Sequence, residues 1–127
     1  QEGEIKNIVS LYIQNSMPFE ASELMKLAFK KGKIKKDKKS LELYANTLVQ
    51  AKEYDKAIEE LERAVNLKPT DPIINDHLGD AYLKVNRKLE ALYQWKKAIQ
   101  FKPENDLEKK IEKKIKKYDG NNQLDLL

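Results

Sequence analysis

The chain has 127 residues, the size of one domain, with 40% hydrophobic and 36% charged residues. That is apolar enough for a core and too polar for a membrane span. No cysteine and a single histidine, His77, argue against a disulfide framework, a thiolate metal site, a cysteine nucleophile or a Ser-His-Asp triad. The 25 Lys and Arg against 21 Asp and Glu give a net charge of +4 and a pI near 9.1. Most of these charges are interleaved, as on solvated helix faces. Four Gly and four Pro leave little material for turns, so helices must dominate. The first residue is Gln1 rather than Met, which reads as a processed chain or an excised fragment, and leaves the compartment open.

Alanines set a period. Ala57 and Ala91 are 34 residues apart, as are Ala64 and Ala98, Leu48 and Tyr82, and Pro69 and Pro103. Ala21 and Ala28 stand 36 residues before Ala57 and Ala64, which places a short insertion in the lysine-rich stretch from Lys33 to Lys39. Three units of about 2–37, 38–71 and 72–105 result, each read as two amphipathic helices.

The first unit keeps the alanine pair Ala21 and Ala28 and ends in the lysines. In the second, Leu41, Tyr44, Leu48 and Ala51 form one buried stripe, and Ala57, Leu61, Ala64 and Val65 the other. In the third, Ile74, Leu78, Ala81, Tyr82 and Val85 are followed by a turn at Asn86 and Arg87. A second stripe then runs through Leu89, Leu92, Trp95, Ala98 and Ile99. Pro72 suits a first helical turn, and Pro103 stops the last helix. The alanines recur where helices cross closely, because larger side chains would hold the backbones apart.

Beyond Pro103, Leu107, Ile111, Ile115 and Tyr118 form a narrow apolar stripe on a helix of Lys and Glu. The acidic start at Glu104–Asp106 and the basic end at Lys116 and Lys117 suit the helix dipole. This segment, 105–117, is expected to cap the array. A turn follows at Asp119 to Asn122, then an apolar tail containing Leu124, Leu126 and Leu127, suited to docking or interaction.

These residues resemble the tetratricopeptide repeat family. Its pattern of Leu-Gly, Tyr, Ala, aromatic, Ala and Pro is answered by Leu78-Gly79, Tyr82, Ala91, Trp95, Ala98 and Pro103. The second unit answers with Tyr44-Ala45, Leu48, Ala57, Leu61, Ala64 and Pro69. The first fits more loosely, with Ile8-Val9, Tyr12, Ala21, Met25 and Ala28, and Lys33 where the proline belongs. Asn75 replaces the family's first large residue in the third unit, although Leu41 supplies it in the second. The stretch from His77 through Trp95 is similar to the C-terminal repeats of bacterial, particularly alphaproteobacterial, members. The resemblance implies an all-α, right-handed superhelical solenoid: a repeat domain over 1–118, with 119–127 as a short tail.

The resemblance also implies a function. In the family the first helices of successive repeats line a concave groove that meets a partner peptide. By repeat position the lining would be Lys6, Ser10 and Gln14, then Glu42, Asn46 and Gln50, then Ile73, Asp76, His77, Asp80 and Leu83. One subfamily clamps a terminal carboxylate with two asparagines and three basic residues. Only Lys6 answers that set here, the other positions holding Ser10, Leu43, Ile73 and His77. Asp76 and Asp80 in the groove instead predict a basic or mixed peptide.

Other constellations read more simply as structure. A metal-ligand or catalytic role for His77 would call for a second histidine or a cysteine, and the sequence has neither. Trp95 and Tyr82 occupy core positions, and Asp76 and Asp80 lack the opposed carboxylate of glycosidase-type chemistry. The lysines of 30–39 lack interleaved aromatics and read as a solvated linker, and Lys109 to Lys117, broken by Glu108 and Glu112, as a water-facing helix surface. No catalytic residue, metal site or cofactor is expected. The expected role is a non-catalytic protein-interaction module, with a self-associating scaffold and a basic nucleic-acid-binding module as the alternatives.

Overall fold

The computed structural model describes residues 1–119. Among them are seven α-helices and no strand: α1 Glu2–Gln14, α2 Pro18–Lys30, α3 Lys38–Gln50, α4 Tyr54–Leu67, α5 Pro72–Lys84, α6 Lys88–Gln100 and α7 Asn105–Tyr118. Local chemistry sets their starts. Pro18 and Pro72 occupy first turns, where the missing N–H has no intrahelical acceptor to lose. Asp37 caps α3 by accepting from the Ser40 N–H at 2.9 Å, and Asp71 caps α5 by accepting from the Ile73 N–H at 2.9 Å.

One device closes four of the helices. Ser16, Gly32, Lys52 and Asn86 each take a left-handed φ between 58° and 68°. Each donates its N–H three residues back, to Ile13, Phe29, Val49 and Leu83. The next residue then donates five residues back: Met17 to Tyr12, Lys33 to Ala28, Glu53 to Leu48 and Arg87 to Tyr82, at 2.8–3.0 Å. This paired closure satisfies carbonyls that a helix end otherwise leaves open. After α6, Lys102 is left-handed too, but Pro103 follows and has no N–H to donate, so only the inner bond forms.

Contacts divide the chain into two compact units, Gln1–Leu67 and Lys68–Leu127. In the first, α2 packs between α1 and α3, and α4 packs on α3. Val9, Ala21, Met25, Ala28 and Ile34 form one buried cluster there, with Phe29 and Tyr44 edge-to-face at 5.5 Å beside it. In the second, α5 packs on α6 and α6 on α7, burying Ile74, Leu78, Tyr82, Leu92, Trp95 and Ile111.

Three expectations need correction. Leu89 is 80% exposed, not part of the α6 stripe; it lies two residues before fully buried Ala91, about 200° around the helix, and so faces away. Ile8 is 46% exposed, because α1 packs chiefly on α2 and that contact is made by Val9. The lysine-rich stretch is pinned rather than purely solvated: Ile34 inserts into the first core while Lys33, Lys35 and Lys36 stay outside. The apolar tail at Leu124, Leu126 and Leu127 lies outside the described residues.

A close contact between α5 and α6 is made at Gly79. A Cβ there would fall 2.5 Å from both Cδ1 and Nε1 of Trp95, which is fully buried, and 3.1 Å from the Ala91 carbonyl. One repeat earlier the same two positions hold Ala45 and Leu61, and in the first hairpin Val9 and Met25. Glycine therefore stands opposite the bulkiest partner. Gly79→Ala gains about 1 kcal/mol of helix propensity but drives a rigid indole out of place at about 1–3 kcal/mol. The melting temperature should fall, and partial recovery is expected on adding Trp95→Leu; a Gly79→Ala protein as stable as the native chain would contradict this packing.

Candidate functional site

The groove residues expected from the sequence fall into distinct environments. On α1, Lys6 is half-buried and ion-paired with Glu2 at 3.3 Å, while Ser10 and Gln14 are exposed. On α3, Glu42 is half-buried against Lys38 at 3.8 Å. Asn46 and Gln50 are exposed and joined to each other, the Gln50 amide donating to Asn46 Oδ1 at 3.2 Å. On α5, Ile73 and His77 are exposed and Leu83 is half-buried.

Asp76 and Asp80 differ from all of these. Four residues apart, they share one face of α5, and that face meets α7. Lys114 Nζ donates to Asp76 Oδ1 at 2.8 Å and to Asp80 at 2.9 and 3.1 Å. The Trp95 indole N–H donates to Asp80 Oδ1 at 3.2 Å. The Tyr118 ring lies 5.9 Å from that of Trp95, and Lys114 Nζ sits 5.8 Å from the indole centroid. Asp76 keeps only 6% of its side-chain exposure and Asp80 44%. The carboxylates that motivated a basic peptide are thus held by a cation of the same unit.

The electrostatics follow from this enclosure. Burial pushes the Asp76 carboxyl above its ordinary value, and the hydrogen bond from Lys114 offsets part of that rise. For Lys114, burial alone would pull the ammonium down, but the hydrogen bonds and charges of Asp76 and Asp80 carry it above its ordinary value. Lys114 therefore stabilises the fold fully below an ordinary lysine pKa and loses that contribution as pH rises through its own. Asp76, also raised, has the same sense in a lower pH window, its burial costing stability as pH rises from the ordinary carboxylate range through its raised value.

Lys114 was missed because it lies in a run of lysines that reads as solvent-facing. Its spacing carried the signal: three residues after Ile111 and four before Tyr118, it stands on the apolar stripe of α7. A lysine there must bury its stem and bring its charge to a partner. Among the described residues, no group of three or more His, Asp or Glu side chains could hold a metal ion, and no helix is long and apolar enough to cross a membrane.

Antiparallel helical hairpins repeating at 34–36 residues, each closed by the same turn, define a helical-repeat protein. The family model described as "TPR repeat" matches residues 45–86, and the chain shares its all-α fold with solved TPR proteins. The Yersinia enterocolitica type III secretion chaperone SycD, solved with a peptide of the translocator YopD, superposes with a TM-score of 0.80 at 12% identity, over 94% of this chain and 93% of its own. The Sgt2 TPR domain from Aspergillus fumigatus gives 0.78 at 17% identity, over 96% and 82%. The TPR2AB domain of yeast Sti1, solved with pHSP90, gives 0.78 at 16% identity, over 93% and 46%. No curated protein matches the sequence.

Lys114→Ala leaves Asp76 as a buried carboxylate without its cation. At neutral pH it should cost about 2–3 kcal/mol, below the range for a fully enclosed pair because Lys114 retains partial exposure. The gap to the native chain should narrow as pH falls, since protonating Asp76 removes the unpaired charge. Urea titrations at several pH values check this; a pH-independent gap, or none, would contradict the assignment.

Proposed function

We propose that the chain is a non-catalytic protein-interaction module that binds a partner protein through exposed side chains on the first helices of its hairpins, α1 and α3 in the first unit and α5 in the second. The observation that carries this is the repetition of exposed polar side chains at equivalent first-helix positions. Ser10 and Asn46 are one such pair and Gln14 and Gln50 another, with Ile73 and His77 exposed on α5. The fold supports the reading: SycD is solved with a YopD peptide and Sti1 with pHSP90. In this reading residues 1–118 act as one repeat domain and α7 closes the array.

Lys6 and Glu42, each with an intrahelical ion-pair partner, serve as adjustable rim charges. Such pairs are worth only tenths of a kcal/mol and exchange readily for a ligand group. Asp76 is a structural residue here, enclosed by Lys114.

Self-association is a second reading, favoured by one observation. Ile8, Leu11, Phe19 and Leu27 of the first hairpin are each 46–55% exposed, and apolar exposure of that kind suits a protein interface. SycD is described in an alternative dimer.

One comparison tests both. Native bait is incubated with source lysate beside Asn46→Ala/Gln50→Ala/His77→Ala and Leu11→Glu/Phe19→Glu variants, and the mass of each is measured by light scattering. The first reading predicts a partner lost from the triple variant and kept by the other, and equal capture by all three would overturn it. The second predicts a native dimer that becomes a monomer in the Leu11→Glu/Phe19→Glu protein; a monomeric native chain would overturn that.

A further inference from the structure

We propose that the cavity between α5 and α7 takes a peptide segment carrying both acidic and large apolar side chains. This rests on the interaction-module reading and names the chemistry of one of its partner sites. The cavity is an open cleft of about 380 Å³, within the size range of ligand pockets. Leu83 and Tyr118 form apolar walls, with the buried Trp95 ring beneath. Lys84, Lys113 and Lys117 stand exposed at the edge.

Charge decides the occupant. Asp80 is the one carboxylate lining the cavity, and it already accepts from Lys114 and from the Trp95 indole. Lys114, the fourth lysine of the lining, is likewise committed to Asp76 and Asp80. What a ligand meets is therefore three exposed ammonium groups around an apolar recess. Glu112, the nearest glutamate in sequence, lines two neighbouring clefts, one with Lys96 and Lys116 and one shared with Lys113, but not this one. α7 as a whole carries six lysines against three carboxylates, so a basic peptide would be repelled along its length and an acidic one drawn in.

The apolar walls select among anions. A nucleic-acid strand needs cations that track its backbone and open aromatic faces on which bases stack. Here Trp95 is sealed and the Tyr118 ring lies against it. Leu83 and the edge of Tyr118 offer contact to aliphatic or aromatic side chains instead. Carboxylates of the same segment would then fall beside Lys113 and Lys117, where partial desolvation strengthens the attraction.

Trp95 is the chain's single tryptophan, so its emission reports occupancy of this cavity without a label. The probes are three short soluble peptides, built from Leu, Glu and Ser, from Leu, Lys and Ser, and from Glu and Ser alone. The Leu/Glu peptide should change Trp95 emission saturably. Its affinity should fall about tenfold or more in a Lys113→Glu/Lys117→Glu protein, whose changed positions are exposed and whose helicity is checked by circular dichroism. Asn46→Ala/Gln50→Ala should leave that affinity unchanged. Equal or tighter binding of the Leu/Lys or the Glu/Ser peptide would overturn the proposal, as would indifference to the α7 charge reversal, no binding at all, or displacement by phosphatidylserine vesicles or a single-stranded oligonucleotide. If it fails while a lysate partner still depends on Asn46, Gln50 and His77, the interaction-module reading stands and this cavity alone is excluded.

Discussion

Trp95 resting on Gly79 is the contact from which the second unit is built. The absence of a Cβ lets the indole lie against the α5 backbone, and a buried Trp is worth about 3–5 kcal/mol against alanine. The indole brings an N–H that must find an acceptor, and Asp80, one residue beyond Gly79, provides it. Asp80 then needs a cation, and Lys114 supplies it while also neutralising the more deeply buried Asp76. Lys114 in turn fixes the register of α7, placing Tyr118 beside Trp95 and burying Ile111. Hydrogen bonds to charged groups are worth about 1.5–3 kcal/mol each, several times an exposed pair such as Lys56 with Glu53.

The same repeat positions do different work in different hairpins. Where the third has Trp95, the second has Leu61, which has no polar atom to satisfy. The position of Asp80 is accordingly Asn46, exposed and bonded only to Gln50, and the position of Asp76 is Glu42, paired within its own helix. The polar face of α3 thus stays exposed at Asn46 and Gln50, while that of α5 is consumed in holding α7. This distinction moves the expected partner charge from basic toward acidic at α5 and α7, because the carboxylates are already answered and the remaining lysines are not.

Much of the architecture was legible in the sequence. The 34-residue alanine spacing and the prolines placed the hairpins, and α3 and α5 begin at Lys38 and Pro72, where the second and third units were drawn. What escaped had specific causes. Ile34 is flanked by lysines on both sides and shows no periodicity. Leu89 matched the period of its stripe but sits in the first turn of α6, on the side away from Ala91. The turns at Ser16 and Lys52 carry no glycine to mark their left-handed backbone. The Asp76–Asp80–Lys114 cluster joins residues 34 and 38 apart in the chain, and only the docking of α7 brings them together.

The most direct test of this account is a double-mutant cycle joining Asp76→Asn and Lys114→Met, read by chemical denaturation at neutral pH. If Lys114 answers the buried carboxylate, the two losses will be strongly non-additive, with a coupling of about 1–3 kcal/mol and the double variant recovering much of the stability lost by Lys114→Met alone. Losses that add to within about 0.5 kcal/mol would show the two groups to be independent, and would return Asp76 to the open face from which the sequence first read it.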